Sequence, residues 1–228
     1  MATESFHECS WVLLPGTLCT GAVFDGFLDG LNVPDSSRQV VLLDRPGVED
    51  YLEDLERLTD ANTIICGFSL GAIVAAHLAD RLSASRFLLF GLNPYADDPL
   101  KREGRLALAR DVRQQGGAAA LATRLQPMAG RDPVAARALV LSMADDSTIH
   151  IDAQTELALS RPGALEHLAG TSVPVTVLTG SDDGQAPLTL ARAAAEVAPQ
   201  GSLIQIPGLG HYALLEDPRT CSRYVLQS

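Results

Sequence analysis

The chain has no run of eighteen or more apolar residues, so nothing in it reads as a membrane-spanning helix. Cations are scarce: 17 Lys plus Arg stand against 28 Asp plus Glu, a formal charge of −11. Phosphate neutralisation needs clustered cations, so a general nucleic-acid binder is excluded. Anionic lipid surfaces repel such a chain as well. Cysteine is sparse. Cys9, Cys19, Cys66 and Cys221 lie far apart, with neither a CxxC nor a Cys/His metal spacing. They read as small core hydrophobes of a reducing compartment, and the expected location is cytoplasmic. The stretch from Met1 to Ser10 lacks Lys and Arg, and so lacks the positive region that opens a secretory leader. Neither an internal repeat nor a low-complexity tract is present.

What remains is an ordinary globular composition, with 46% hydrophobic and 20% charged residues over 228 positions. Four short apolar runs punctuate the first half: Trp11 to Leu14, Val40 to Leu43, Thr63 to Cys66 and Phe87 to Phe90. Gly, Pro or Asp stops each one. The runs do not alternate with polar residues, which predicts strands buried on both faces of a parallel sheet. Helical patterns fall between them, at Tyr51 to Leu58 and Ala72 to Leu82, so the class is α/β. From Leu100 to about Arg161 no β-branched run occurs. That segment is rich in Ala, Leu and Arg, and its spacing predicts three or four helices. The strand pattern returns at Val173 to Thr179 and at Leu203 to Ile206, and a last helix is expected over Asp217 to Leu226. The expectation is one core, residues 1–94 and 167–228, interrupted by a helical cap at 95–166.

Gly67-Phe68-Ser69-Leu70-Gly71 is a G-x-S-x-G sequence. Alone it is a weak signal. Here a buried strand ends at Cys66 and a helix of small and apolar residues follows, which is the strand–turn–helix that a nucleophilic serine elbow requires. The turn would lift the Ser69 hydroxyl above the sheet at a helix N-terminus, where amides and dipole favour a developing anion. A serine needs a base, and His211 follows the last expected strand in Pro207-Gly208-Leu209-Gly210-His211. The other histidines fit less well. His77 points away within the helix after Ser69, His150 and His167 belong to the helical segment or its exit, and His7 is near the N-terminus. The base needs an acid that fixes its tautomer. Asp183 lies in a loop at a strand's carboxyl end; Asp182 is its local rival, and Asp44 and Asn93 are distant ones. The order Ser69, Asp183, His211 is that of α/β-hydrolases.

On these residues the chain resembles the α/β-hydrolase superfamily, in its small, capped serine-esterase type, similar to pimeloyl-ester hydrolase-like carboxylesterases. The resemblance runs from Trp11 to Leu226 and implies a mostly parallel sheet flanked by helices, with a helical cap. The family's acid commonly sits in G-x-x-D-x-x-x-P, which fits Gly180, Asp183 and Pro187 and puts Asp182 out of register. Its histidine often sits in G-x-G-H followed by L-E-x-P, matched by Gly208 to His211 and Leu215 to Pro218. One oxyanion donor is then the amide of Leu70, after the nucleophile. The other belongs to the first-strand loop. That loop departs from the family's His-Gly by having Pro15-Gly16, with Phe24 as the following aromatic. Thr17 is assigned the second amide and Leu18 is the alternative. Gln154, Ala158, Arg161 and Pro162 match a Q-x-x-x-A-x-x-R-P pattern of small esterases, although Gln154 and Arg161 read equally well as helix-surface and helix-end residues.

The implied activity is hydrolysis of a small-molecule ester or thioester through an acyl-enzyme, with no metal and no cofactor. A lactonase, C–C hydrolase or lyase could keep the same three residues. A non-catalytic receptor on this fold is the alternative from another class. Between Leu100 and Val140 eight cations face three acids. They could guide an anionic substrate or carrier, or simply face solvent. Met128 and Met143 are expected to line the pocket under the cap.

Overall fold

A computed structural model describes residues 6–227. Residues 1–5, half of the stretch weighed as a leader, lie outside the described residues. The chain runs β1 (Ser10–Leu14), α1 (Asp25–Gly30), β2 (Arg38–Val40), α2 (Leu52–Leu58), β3 (Thr63–Phe68), α3 (Leu70–His77) and β4 (Arg86–Phe90). Four helices follow without a strand: α4 (Arg102–Gln115), α5 (Gly117–Ala122), α6 (Pro133–Asp146) and α7 (Ile151–Ser160). Then come α8 (Leu165–Gly170), β5 (Val175–Gly180), α9 (Leu188–Val197), β6 (Gly201–Ile206), α10 (Ala213–Glu216) and α11 (Pro218–Leu226). No described helix is long and apolar enough to cross a membrane.

The sheet has the order β2-β1-β3-β4-β5-β6, and every pairing in it is parallel. Strand direction alternates side chains between its faces. Val12, Leu14, Ile65, Phe87, Leu89, Val175 and Val177 pack on one side with α2, α3, α8 and α9. Trp11, Leu13, Ile64, Cys66, Leu88, Phe90 and Leu178 pack on the other with α1 and α11. Edge-to-face contacts of Trp11 with Phe27 and of Phe27 with Phe90 run through that second layer. Each is worth about 0.5–1.5 kcal/mol beyond burial. Every residue of α3 is buried, which its Ala72, Ala75 and Ala76 permit.

The Val40–Leu43 run behaves differently from expectation. β2 is an edge strand paired with β1 alone, and it ends at Val40. Val40 is 44% exposed and Leu42 39%, while Leu43 turns inward. Having one neighbour, an edge strand need not be buried on both faces. Four helices carried no sequence expectation, α1, α8, α9 and α10. The expected boundary at 166/167 falls inside α8, whose Leu168 is packed in the same layer as α3. The inserted helices have a small apolar centre of their own, Ala109, Val112, Ala120, Ala144 and Ile151, which also receives Leu18.

Chain order places the switch point of the sheet between β1 and β3: β1 leads outward to β2, and β3 returns on its other side. Loops at the carboxyl ends of these two strands diverge there, which opens the crevice where open α/β sheets take ligands.

Candidate active site

Ser69 stands directly after β3 with φ 52 and ψ −114. This is a strained backbone for a residue with a side chain. Close approach of β1, β3 and α3 frames it. A Cβ on Gly71 would lie 1.9 Å from the Leu14 carbonyl oxygen, and one on Gly67 would lie 2.5 Å from the Ala72 Cα. The Ser69 amide donates to the Phe90 carbonyl at 2.9 Å, which ties the turn to the neighbouring strand.

The three separated residues meet. His211 Nε2 lies 3.1 Å from Ser69 Oγ, and His211 Nδ1 lies 2.8 Å from Asp183 Oδ2. Asp183 is buried, and its Oδ1 accepts the backbone amides of Gln185 and Ala186, each at 2.8 Å. Burial pushes this carboxyl up, but the bond and charge of His211 and the two amides outweigh burial and hold it below the usual carboxylate range. Asp182 is exposed, and its carboxylate accepts the Ser181 hydroxyl. Asp44 pairs with Arg45, and Asn93 Oδ1 accepts the Tyr95 amide. His77, at the end of α3 away from Ser69, meets His167 at 4.2 Å between ring centroids with the planes tilted by 57°, beside Glu49 and Asp80. Gly91 escaped the sequence reading. It has φ +60, and a Cβ there would come within 2.9 Å of His211 Cε1. A glycine ending a strand gives no sign that an imidazole will lie on it.

The loop after β1 makes a tight turn closed by the Cys19 amide on the Gly16 carbonyl at 3.1 Å, with Leu18 left-handed at φ 55. The Leu18 amide is occupied: it donates to Gln154 Oε1 on α7 at 2.9 Å. Thr17 and Leu70 both line the space above Ser69, and neither amide has a hydrogen-bond partner among the described residues. Leu70 opens α3, where the first amides are orphaned by geometry. Gln154 is 2% exposed and is therefore not a helix-surface residue. Burial pushes the Cys19 thiol in this loop up to about 12, so it stays protonated and inert.

Two cavities meet at His211. The first, about 380 Å³, is lined by Ser69, Thr17, Leu70, Asn93, Lys101, Arg105, Arg161, Gln185 and neighbours. The second, about 290 Å³, is lined by Leu125, Pro127, Met128, Tyr212, Asp182, Glu216 and others. Met128 lines the second cavity. Met143 lines neither: it is 1% exposed and packs from α6 into the core layer that holds Phe90. An apolar face shared between lid packing and core packing went to the core there. Three arginines of the inserted segment are paired at its surface, Arg110 with Glu103, Arg113 with Asp152 and Arg124 with Asp111.

Residues 11–223 match the model of the alpha/beta hydrolase family, and the chain belongs to that family. Among solved structures it is similar to a thermophilic esterase from Thermogutta terrifontis, determined with malate bound. There the TM-score is 0.80 at 20% identity, covering 96% of this chain and 88% of that one. The enol-lactonase from Burkholderia xenovorans superposes with a TM-score of 0.73 at 18% identity, covering 96% and 90%. MenH from S. aureus gives 0.76 at 16% identity, covering 100% and 94%. At these identities the likeness is one of fold. No curated protein matches the chain.

Proposed function

We propose that the protein is a serine hydrolase that cleaves a carboxylic ester or thioester of a small molecule through an acyl-enzyme. The carrying observation is the hydrogen-bonded line Ser69–His211–Asp183. A hydroxyl, an imidazole and a buried carboxylate stand at 3.1 and 2.8 Å, with the serine on a strained turn. In this reading Asp183 accepts a hydrogen bond from Nδ1–H and so keeps Nε2 free as the base. As Ser69 Oγ bonds to the substrate carbonyl carbon, its proton passes to Nε2. The carbonyl oxygen becomes an anion held by the Thr17 and Leu70 amides, each worth on the order of 3 kcal/mol. The carbon–oxygen or carbon–sulfur bond then breaks, and the leaving group takes the proton from Nε2. Water gives a proton to Nε2, attacks the acyl carbon and frees the acid, and Ser69 regains its hydrogen. Ser69, Asp183, His211 and the two amides supply every proton transfer and charge in this sequence.

The inserted helices act as a cap, because residues from α4 and its approach, and the segment from Leu125 to Ala129, wall both cavities. The buried thiols of Cys19, Cys66 and Cys221, none of them in a disulfide, fit a reducing compartment, and we assign the protein to the cytoplasm.

The test is covalent labelling by a fluorophosphonate together with turnover of p-nitrophenyl esters of graded chain length. Ser69 is expected to be the labelled residue, and Ser69→Ala to lose both labelling and turnover with circular dichroism unchanged. Turnover by Ser69→Ala within tenfold of the parent overturns the mechanism. Binding of esters without labelling or turnover points to a receptor instead.

A further inference from the structure

The first cavity is charged in one sense. Lys101, Arg105 and Arg161 line it, and no carboxylate does. One acid, Asp97, stands behind them. Arg105 is spent on it through Nε and an Nη, and Arg161 Nη1 reaches it at 2.9 Å while also donating to the Ala158 carbonyl. Arg161 is 3% exposed, yet its Nε has no acceptor among the described residues. Lys101 has no carboxylate partner among them either. Elsewhere on the insertion Arg110, Arg113 and Arg124 are each matched with an acid. A buried donor without an acceptor is costly, and uncompensated cations in a half-enclosed space are costlier still. Burial and the nearby Arg105 both disfavour the charge on Arg161 and outweigh the support that Asp97 gives it. In a chain of charge −11, this is where a small anion would be drawn in.

The direction of the substrate follows from the walls. Ser69, Thr17 and Leu70 lie in this cavity, so the acyl carbon and its oxyanion lie here. The second cavity shares His211 but not Ser69, which is where a leaving group taking a proton from Nε2 departs.

Resting on the serine-hydrolase reading, we propose that the acyl part of the substrate ends in a carboxylate, held by Lys101, Arg105 and Arg161 while its ester carbonyl sits at Ser69. The substrate class is therefore the half-ester or half-thioester of a short dicarboxylic acid.

The test compares p-nitrophenyl hydrogen adipate with p-nitrophenyl hexanoate, equal in chain length, each corrected for uncatalysed hydrolysis. The adipate is expected to have a kcat/KM higher by about tenfold or more, since hydrogen bonds to charged groups are worth that much. The advantage should shrink as salt is raised. Lys101→Gln, which breaks no ion pair, should cut the ratio at least severalfold, whereas Arg113→Gln, on the outer surface, should leave it. A parent ratio of one or below, with Ser69 labelled and the hexanoate turned over, overturns the anion subsite alone. A ratio untouched by both salt and Lys101→Gln overturns it too. Failure to turn over either ester, with Ser69 unlabelled, overturns the hydrolase reading and this inference with it.

Discussion

The two cavities that meet at His211 are opposites in charge. One has three cations and no acid on its walls; the other has Asp182 and Glu216 and no cation, with Leu125, Pro127, Met128 and Tyr212 between them. Glu216 is buried, and burial pushes its carboxyl above the usual range even though it accepts the Gly210 and Ala129 amides. A single imidazole ring belongs to both walls. Under the proposed function this difference gives the substrate its orientation. A carboxylate is attracted on one side and repelled on the other, so the wrong way round is disfavoured as well as the right way favoured. The shared chemistry is common to many relatives of this fold, whereas the unshared walls are where specificity can differ.

Removing the support of the imidazole that the cavities share should cost most. Asp183→Asn is expected to lower kcat on the order of 10⁴-fold, because the imidazole loses its fixed tautomer. The loss should be equal for anionic and neutral esters. Asp182→Asn, on an exposed carboxylate, should cost far less, and the reverse order in steady-state kinetics would show that the loop register is misread.

Breaking the foundation of the cationic side comes next. Asp97→Asn leaves Arg161 and Arg105 without their counter-charge and should destabilise the fold by about 3–5 kcal/mol, measured by urea unfolding. Burial pushes the Asp97 carboxyl up, but Arg105 and then Arg161 hold it below its ordinary 3.8. A depressed carboxylate contributes stability above that ordinary value and loses it as pH falls through the depressed one. The parent should therefore lose this contribution below about pH 4. The gap between parent and Asp97→Asn should narrow there, and a gap constant from pH 7 to pH 3 would contradict the pairing.

A smaller effect is expected from Gln154→Leu. It removes the acceptor of the Leu18 amide and leaves a buried donor unpaired, worth about 1–3 kcal/mol. If the turn carrying Thr17 depends on that bond, kcat should fall about ten- to a hundredfold with KM little changed. Unchanged kcat would mean that the turn holds itself. Smallest of all, Met128→Ala enlarges only the second cavity. It should change the preference among leaving groups of different size by about 1 kcal/mol while leaving acyl preference alone.

Much of this was legible in the chain because local signals and tertiary roles agreed. The apolar runs stopped by glycine or proline became β1, β3, β4, β5 and β6. Ser69, Asp183 and His211 each follow a strand, and a parallel sheet gathers such loops at one end. The rest depended on who lies next to whom. Val40 to Leu43 looks like a central strand, and only the sheet order makes β2 an edge. Met128 and Met143 have the same side chain and similar surroundings in sequence. One ended at a cavity and the other in the core, a choice made by the docking of α6. Neither the pairing of Arg161 with Asp97, 64 residues apart, nor the acceptance of the Leu18 amide by Gln154, 136 residues apart, has any local signature.

The Leu18–Gln154 bond also makes one proton a clock. The amide is buried in the loop after β1, while its acceptor belongs to α7 of the inserted helices. Undocking those helices exposes that amide while leaving the ladder between β1 and β3 intact. Its exchange with deuterium would therefore report the partial opening of the molecule, and the Trp11 to Leu14 amides the global one. The ratio of the two rates, each corrected for intrinsic exchange, gives how much more populated than the unfolded chain is a state in which the sheet is whole and the cavities above it are open.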